Sequence, residues 1–328
     1  MTDVQTATGA VDANALGRTL VHEHVFVLTP DVQANLDEWD ENARIADAVE
    51  KLTALSAAGY DTILDPTVIG LGRYVPRIIE VAKQIDLNIV LATGVYTYDS
   101  VPFYFQHRGP ALTPETPEPM VEMFVRDLTE GIPGTGGVRA GFLKCAIDKY
   151  GMTPDVARIM RAVAAAHRET GAPITVHTNA PAKTALDAHR LLDEEGVDPR
   201  RVVLGHVGDS TDAEYLTELA ELGYLLGMDR FGIDVITPFD DRVYIVAEMV
   251  RRGYVNSLVL AHDAACLIDW MDHDLKGMVL PNWHYLHIEN DVLPALRERG
   301  VTDEQIDTML VANPRRYLTG QSGESGAA

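Results

Sequence analysis

The fold is decided by residues 141–179, which read GFLKCAIDKYGMTPDVARIMRAVAAAHRETGAPITVHTN. The two ends of this stretch, 141–148 and 173–179, are short apolar runs typical of strands that are buried on both faces. A helix is well marked between them, with Thr153 as N-cap, Pro154 at the first helical position and Gly171 beyond its end. The stretch therefore predicts two parallel strands joined by a crossover helix.

The same alternation of strand and helix continues in both directions along the chain. The predicted strands are 18–26, 60–67, 87–96, 141–148, 173–179, 201–208, 224–230 and 258–265. Eight such units in roughly 250 to 300 residues predict a single (β/α)8 TIM barrel of the α/β class. A doubly wound sheet is disfavoured, because no glycine-rich dinucleotide fingerprint follows the first strand.

The barrel is expected to span residues 18–318, after an N-terminal segment of residues 1–17 and before a flexible tail of residues 319–328 that is rich in Gly and Ser. One helix start is less well marked than the one at Thr153. Thr211 and Glu214 predict a capping box there, for a helix that stops at Gly223.

Composition narrows the possible partners and location. The formal charge of −22 over 328 residues opposes binding to nucleic acid or to an anionic membrane. The two cysteines, Cys145 and Cys266, cannot form a disulfide framework and fit a reducing compartment, with packing as their default role. No signal peptide or membrane-spanning run is visible, so a soluble cytoplasmic protein is expected.

Ionisable residues stand at the ends of otherwise apolar strands: His22, His24, Lys144, His177, His206 and Asp263. A lone buried histidine is more often a satisfied core residue than a metal ligand. Catalytic groups of a TIM barrel, however, come from the C-terminal ends of several strands, so the joint placement favours a metal site. Lys144 has two interpretations: a side chain that reaches solvent, or a lysine carboxylated by carbon dioxide whose two oxygens bridge two metals.

The motifs HEH, DPTVIGLGR, GFLKCA, GHVGDS, GMDRFG and HDAAC resemble those of the phosphotriesterase-like lactonases in the amidohydrolase superfamily, over residues 15 to 318. This resemblance implies that His22, His24 and Asp263 hold one divalent metal and that His177 and His206 hold the other. It also implies that carboxylated Lys144 bridges both metals, and it suggests a homodimer. Imidazole and carboxylate ligands suit zinc, the first choice here, as well as iron, cobalt or manganese.

Two residues at the barrel mouth separate lactonases from phosphotriesterases proper. Phosphotriesterases carry a histidine at the place of Arg230, in a proton relay whose outer acid matches Asp209, whereas the similar lactonases carry arginine there and a tyrosine matching Tyr96. Arginine cannot accept a proton at working pH, so such a relay is not expected here. Tyr96 could bind the lactone, although it could equally be a packing aromatic, and Arg230 could equally be part of an ion pair.

The loop after the eighth strand, 266–282, includes the apolar residues Leu267, Ile268, Trp270 and Met271. It is a candidate groove for an acyl chain, although ordinary packing on the barrel remains open for each residue. Ala265 stands where many relatives show cysteine, so the preferred substrate is open. His284 and His287 come some twenty residues after the eighth strand and are expected to be non-catalytic.

The prediction is a binuclear metal-dependent lactonase with Asp263, Tyr96 and Arg230 as catalytic residues and Tyr96, Arg230, Ala265 and Trp270 against the substrate. Its expected substrates are N-acyl-homoserine lactones and other γ- and δ-lactones, with weak hydrolysis of paraoxon. Two alternatives stay open: a true phosphotriesterase (aryldialkylphosphatase), and a phosphotriesterase-related barrel that binds a ligand without catalysis.

Overall fold

The computed structural model describes residues 2–36 and 39–320. Within them, β1 (Asp3–Thr6) and β2 (Gly9–Asp12) form an antiparallel hairpin before the barrel. The strands that follow are β3 (Thr19–Leu20), β4 (His24–Val27), β5 (Thr62–Asp65), β6 (Asn88–Gly94), β7 (Phe142–Ala146), β8 (Ile174–His177), β9 (Val202–Gly205), β10 (Leu225–Asp229), β11 (Leu258–Ala261) and β12 (Ala265–Ile268).

Eight parallel strands pair in the order β3-β5-β6-β7-β8-β9-β10-β11, and this confirms the predicted barrel. The ring closes between its first and last members, where β4 continues β3 and pairs in parallel with β12. Both of these predicted strands are therefore broken, the first between Leu20 and His24 and the eighth between Ala261 and Ala265. The two breaks lie opposite each other, at the level of the candidate site.

The helices cover the outside of the barrel. They are α1 (Pro30–Leu36), α2 (Glu41–Ala57), α3 (Val75–Ala82), α4 (Phe103–Gln106), α5 (Pro119–Thr129), α6 (Pro154–Thr170), α7 (Thr184–Glu194), α8 (Ala213–Glu221), α9 (Phe239–Arg251), α10 (His273–Val279), α11 (Leu293–Glu298), α12 (Asp303–Asp307) and α13 (Asn313–Thr319). No helix in the described ranges is long and apolar enough to cross a membrane.

The predicted ends of α6 are confirmed, and the predicted start of α8 is wrong. Thr153 accepts a hydrogen bond from the N–H of Val156 at 3.2 Å, and Gly171 adopts a φ of 72°. At α8 the N-cap is Asp212, whose carboxylate accepts from the N–H of Tyr215 at 3.1 Å. Asp212 caps the helix in place of Thr211, one residue earlier, because Asp is at least as good an N-cap as Thr.

Two apolar cores follow from the alternation of side chains along the strands. Residues such as Leu143 and Val176 pack against the helices, whereas their neighbours on the other strand face, such as Phe142 and Leu225, fill the barrel interior. The floor, at the N-terminal ends of the strands, is closed by the hairpin and the last helix, which contribute Val4 and Tyr317. The mouth is the opposite end, where the strands finish.

Residues 1–17 thus include an ordered hairpin, whose Ala7 N–H donates to the carbonyl of Ile89 at 2.8 Å. At the other end of the chain, α13 runs to Thr319 and is capped by Gly320, so these two residues belong to a helix rather than to the tail. The rest of the predicted flexible tail, residues 321–328, lies outside the described residues.

Candidate metal centre

The mouth of the barrel brings together all six residues that the sequence singled out for a metal site. His22, His24, Lys144, His177 and His206 are buried, and the Asp263 side chain is 15% exposed. Asp263 Oδ1 lies 3.2 Å from His24 Nε2 and 3.4 Å from His22 Nε2. His206 Nε2 lies 3.9 Å from the other oxygen, Oδ2, of the same carboxylate. One aspartate thus contacts imidazoles from two strands besides its own.

Backbone strain is concentrated at this centre. Among the described residues, the non-glycine residues with positive φ are Lys183, His206 and Asp263, and two of these three are candidate ligands. A side chain makes this conformation costly, by about 1–3 kcal/mol per residue. The surrounding contacts must therefore hold His206 and Asp263 in place.

Each imidazole uses its outer nitrogen for a hydrogen bond to the protein. Asp229 receives two of them, from His22 Nδ1 at 3.1 Å and from His206 Nδ1 at 2.8 Å. The His206 backbone N–H also donates to Asp229, at 2.7 Å, so this carboxylate acts as an acceptor for the histidines rather than facing the centre. Because the outer nitrogens carry the protons, the inner nitrogens keep their lone pairs.

The other two histidines are oriented in the same way. His24 Nδ1 donates to Thr67 Oγ1 at 2.7 Å, and that hydroxyl donates in turn to Asp65 Oδ1 at 2.5 Å. His177 Nε2 donates to Asp148 Oδ2 at 2.5 Å, which leaves Nδ1 for the centre. Metal-binding histidines show this arrangement, in which a carboxylate or hydroxyl fixes the ring and its tautomer.

Burial keeps three of these rings in the form that binds metals. It lowers the pKa of His22 and His206 well below the ordinary histidine value, and it lowers that of His177 to about 4 despite the partner Asp148. These three rings are therefore neutral at pH 7. Burial alone would raise the pKa of Asp263, but the neighbouring histidines and Arg230 outweigh it and hold that pKa far below its usual range. Asp263 is thus an anion.

Lys144 is 1% exposed among these imidazoles, and Nζ lies 3.3 Å from His22 Nε2. Burial lowers the pKa of its amine to about 8, so about a tenth of the amine is neutral at pH 7, far more than for a solvated lysine. The side chain does not reach solvent, which is contrary to the simpler interpretation of the sequence. The inward nitrogens and the anionic carboxylate are ligand types that divalent cations prefer, and His22, His24 and Asp263 form a group that could hold such an ion.

A sequence model of the Phosphotriesterase family matches residues 2–318. The chain belongs to the phosphotriesterase family. Its members are metal-dependent hydrolases of esters, and the family is binuclear. The donor set at the mouth agrees with this membership, since His22, His24, His206 and Asp263 belong to groups that could hold metal ions.

Three proteins are similar to this chain over nearly its whole length. The structure of a phosphotriesterase from Mycobacterium tuberculosis superposes with a TM-score of 0.95 at 55% identity, over 98% of this chain and 99% of the other. An aryldialkylphosphatase of Saccharolobus solfataricus is 35% identical, over 94% of this chain and 97% of its own length. A structure from work on engineering organophosphate hydrolysis from a weak promiscuous lactonase template has a TM-score of 0.87 and 35% identity, with 97% and 100% coverage.

In this member of the phosphotriesterase family, Arg230 lies beside the metal centre between two carboxylates. Nε is 3.2 Å from Asp263 Oδ2, and Nη1 is 2.8 Å from Asp209 Oδ2. Asp209 also contacts the buried Arg242, at 2.7 Å. The expected outer acid of a relay is thus held between two arginines, neither of which can accept a proton.

Tyr96 stands across the mouth from Arg230. Its hydroxyl is 2.5 Å from that of Tyr98, and its ring packs edge-on against His177 with 5.2 Å between centroids. Burial raises the pKa of Tyr96 well above its usual range, and the neighbouring Tyr98 adds to the shift. The phenol therefore stays protonated at neutral pH and remains a hydrogen-bond donor.

The metal centre forms the base of a cavity of about 290 Å³. Tyr96, Arg230, Ala265 and Trp270, the four residues expected to contact the substrate, all line it. Trp270 is half exposed at the rim, and Ala265 is buried. The apolar part of the wall is completed by Val27, Leu71, Ile233, Val235, Ile236, Ile268, Met271, Leu280 and Trp283.

The remaining predicted residues lie outside this cavity. His284 lines a neighbouring cavity, and His287 Nδ1 contacts Asp291 at 2.8 Å. Cys145 and Cys266 are free and buried.

The sequence prediction missed the residues that accept hydrogen bonds within these groups of partners: Asp65, Thr67, Asp148 and Asp229. Asp65, Asp148 and Asp229 end or follow apolar strands, which is the same pattern that identified the ligands. That pattern could have identified them as site residues. It could not have told a residue that binds metal from one that holds a ligand.

Proposed function

We propose that this chain is a binuclear metal-dependent lactonase that opens N-acyl-homoserine lactones and other γ- and δ-lactones, a quorum-quenching activity. The observation that carries the proposal is the make-up of the cavity, with a metal centre at its base, Tyr96 and Arg230 as polar groups and an apolar wall. A small polar head with an apolar tail fits such a cavity. The similarity to a promiscuous lactonase template supports the same substrate class.

The proposed cofactors are two divalent metal ions, zinc first and otherwise iron, cobalt or manganese, with Lys144 carboxylated between them. Such a pair supplies a water of lowered pKa and polarises the bond under attack. His22, His24 and Asp263 would hold one ion, and His177 and His206 the other. The lowered pKa of Lys144 supports the modification, because only the neutral amine has the lone pair that attacks carbon dioxide, after which the nitrogen releases a proton.

The chain's own groups would bind and orient the lactone. Tyr96, kept protonated by burial, would donate a hydrogen bond to the lactone carbonyl or ring oxygen. Arg230 would hold Asp263 by its 3.2 Å contact and present positive charge to the oxygen that becomes negative. Asp263 Oδ2, which faces Arg230 rather than His24, would accept a proton as attack proceeds.

The apolar wall would bind the acyl tail. The ring centroids of Trp270 and Tyr96 are 6.4 Å apart. The lactone ring and the acyl tail of the substrate would therefore lie on one continuous surface. Each methylene buried there would contribute up to about 0.8 kcal/mol. Ala265 leaves room at the base of this wall, where a larger side chain would narrow the cavity.

A second candidate function is phosphotriester hydrolysis as the main activity. The 35% identical aryldialkylphosphatase favours it, and the same centre could attack phosphorus. We therefore expect paraoxon to be a weak substrate at least. A binding protein without catalysis is a poorer hypothesis, because such a protein has no need of all six donors together with the groups that orient them.

The experiment that tests the proposal is a substrate panel with metal analysis on the same preparation. Acyl lactones of increasing tail length and paraoxon should be compared by kcat/KM, with two metal ions expected per chain by elemental analysis. The lactonase proposal predicts a kcat/KM for the better lactones about 100-fold or more above that for paraoxon. A higher value for paraoxon would replace it with the phosphotriesterase function. One metal or none in active enzyme would contradict the binuclear centre.

We also propose that the protein is a cytoplasmic homodimer. Exposed apolar side chains such as Phe103, Leu112 and Met278 support a dimer, because a second copy could cover them. Light scattering of the purified protein tests the dimer, and a monomer at micromolar concentration would contradict it.

A further inference from the structure

The closure between the first and the last strand differs from the other strand pairs of the barrel. Val21 N–H donates to the Leu260 carbonyl at 3.4 Å, and His24 N–H donates to the Ala264 carbonyl at 2.8 Å. Between these two bonds both strands are broken. The candidate ligands His22 and Asp263 lie in that gap, where Asp263 N–H donates to the His22 carbonyl at 3.0 Å.

The carboxylate of Glu23 fills this gap. Its Oε1 accepts from the His262 backbone N–H and from His262 Nδ1, both at 2.7 Å, and its Oε2 accepts from the Ala264 N–H at 3.0 Å. One side chain thus binds the N–H groups on both sides of Asp263. Glu23 alternates with His22 and His24 along the strand, so it faces away from the metal centre while they face it.

The partner His262 is fixed in turn. Its Nε2 accepts from the Ile288 N–H at 2.9 Å, so the ring is neutral, with its proton on Nδ1 toward Glu23. The His262 carbonyl accepts from Trp283 Nε1 at 2.9 Å. Glu23 and His262 are both fully buried, so water does not compete for these bonds. The pair therefore connects Asp263 to Trp283, a wall of the substrate cavity.

Asp263 needs such support because it adopts a φ of 54°, which a residue with a side chain rarely does. We infer that Glu23 and His262 are positioning residues that hold Asp263 in this conformation and so set the affinity of the metal bound by His22, His24 and Asp263. The second metal depends on different supports, because His177 is held by Asp148. The inference requires Asp263 to be a metal ligand, and it does not depend on a lactone substrate.

The test compares Glu23→Gln with the matched variant Asp148→Asn in the full chain. Glutamine keeps the shape of Glu23 and the Oε1 acceptor, but its amide faces the Ala264 N–H, so the bond to that N–H is lost. Zinc per chain should be measured after equilibrium dialysis over a range of free zinc. The anomalous scattering at each metal position should then be measured in crystals grown at the concentration that separates the variants.

We expect Glu23→Gln to weaken the metal of His22, His24 and Asp263 by about 10- to 100-fold while the other ion stays bound, since supports of this kind contribute that much to metal affinity. Asp148→Asn should show the opposite pattern. Equal loss of both metals in Glu23→Gln, or no loss, would overturn the inference whatever the activity of the enzyme.

His262→Leu provides a second variant, in case Glu23→Gln is not recovered folded. Leucine fills a similar volume and removes one of the three donors to Glu23. A smaller loss confined to the same metal supports the inference, and loss of the other metal or of neither overturns it. Thermal unfolding of the metal-free proteins separates this effect from a general loss of stability.

Discussion

The two ends of the barrel interior are built from opposite kinds of side chain. At the floor, Leu225, Phe142 and Tyr317 are packed with apolar neighbours. Toward the mouth, β7 carries Lys144 and β10 ends in Asp229, and burial shifts the pKa of each toward the neutral form. Burial of apolar side chains at the floor stabilises the folded state, whereas desolvation of ionisable groups at the mouth destabilises it. Stability and chemistry are thus divided along each strand.

The largest expected effect is at the mouth, in Lys144→Ala. This variant should reduce kcat/KM by about 100-fold or more, because it removes the proposed bridge between the metals, and even the supports of metal ligands contribute 10–100-fold. Steady-state kinetics with zinc in excess measures it, and added short carboxylic acids should restore a small part of the activity. Full activity would show that Lys144 is not part of the centre.

Leu225→Ala makes the opposite change, at the floor end of β10. It should lower the free energy of unfolding by about 2–5 kcal/mol through a cavity in the core. Because the site lies at the other end of the barrel, kcat/KM should change by no more than about threefold at a temperature where the variant is folded. Denaturant unfolding and kinetics on one preparation test this. A collapse of activity in the folded variant would contradict the separation of the two ends.

The metal-free protein should lose stability in acid through its mouth. The pKa of His177 is about 4 in the folded chain against an ordinary 6.5, so this contribution is complete above pH 6.5 and declines as the pH falls toward 4. The pKa values of His22 and His206 shift in the same direction, so these two rings add to the decline.

Unfolding of the metal-free protein by denaturant between pH 7 and pH 4 measures this decline. The Leu225→Ala variant is the control, since it should lie below the wild type by the same amount at every pH. A flat profile in the wild type would show that these rings are charged or exposed in the metal-free state.

The smallest effect is expected at the outer rim of the mouth, in Trp270→Ala. In the wild type each added tail methylene should raise kcat/KM for acyl lactones by up to about fourfold, the equivalent of 0.8 kcal/mol. The variant should reduce this to less than about twofold while paraoxon turnover changes little, because paraoxon has no tail to bind. An unchanged dependence on tail length would place the acyl groove elsewhere.

The amino-acid sequence was sufficient to predict the barrel and to predict which residues meet at its mouth. Apolar runs separated by capped helices predicted eight parallel strands, and parallel strands finish at one edge, so residues at their ends had to meet. That argument places Lys144 beside His22 without any contact information. The prediction was wrong in local detail, as at the start of α8, where Thr211 was expected to be the N-cap and the adjacent Asp212 takes that position.

The hydrogen-bond partners of those residues could not be predicted from the sequence and depend on the folded structure. Glu23 bonds His262, 239 positions later in the chain, and Asp229 joins histidines from the first and the sixth strand. A pattern along the sequence shows which edge of the sheet a side chain reaches. It does not show which atoms lie within 3 Å, because that depends on the barrel closing and on the strained φ angles of His206 and Asp263. Hydrogen bonds are decided at that distance, so the partners of each ligand emerge only after the chain has folded.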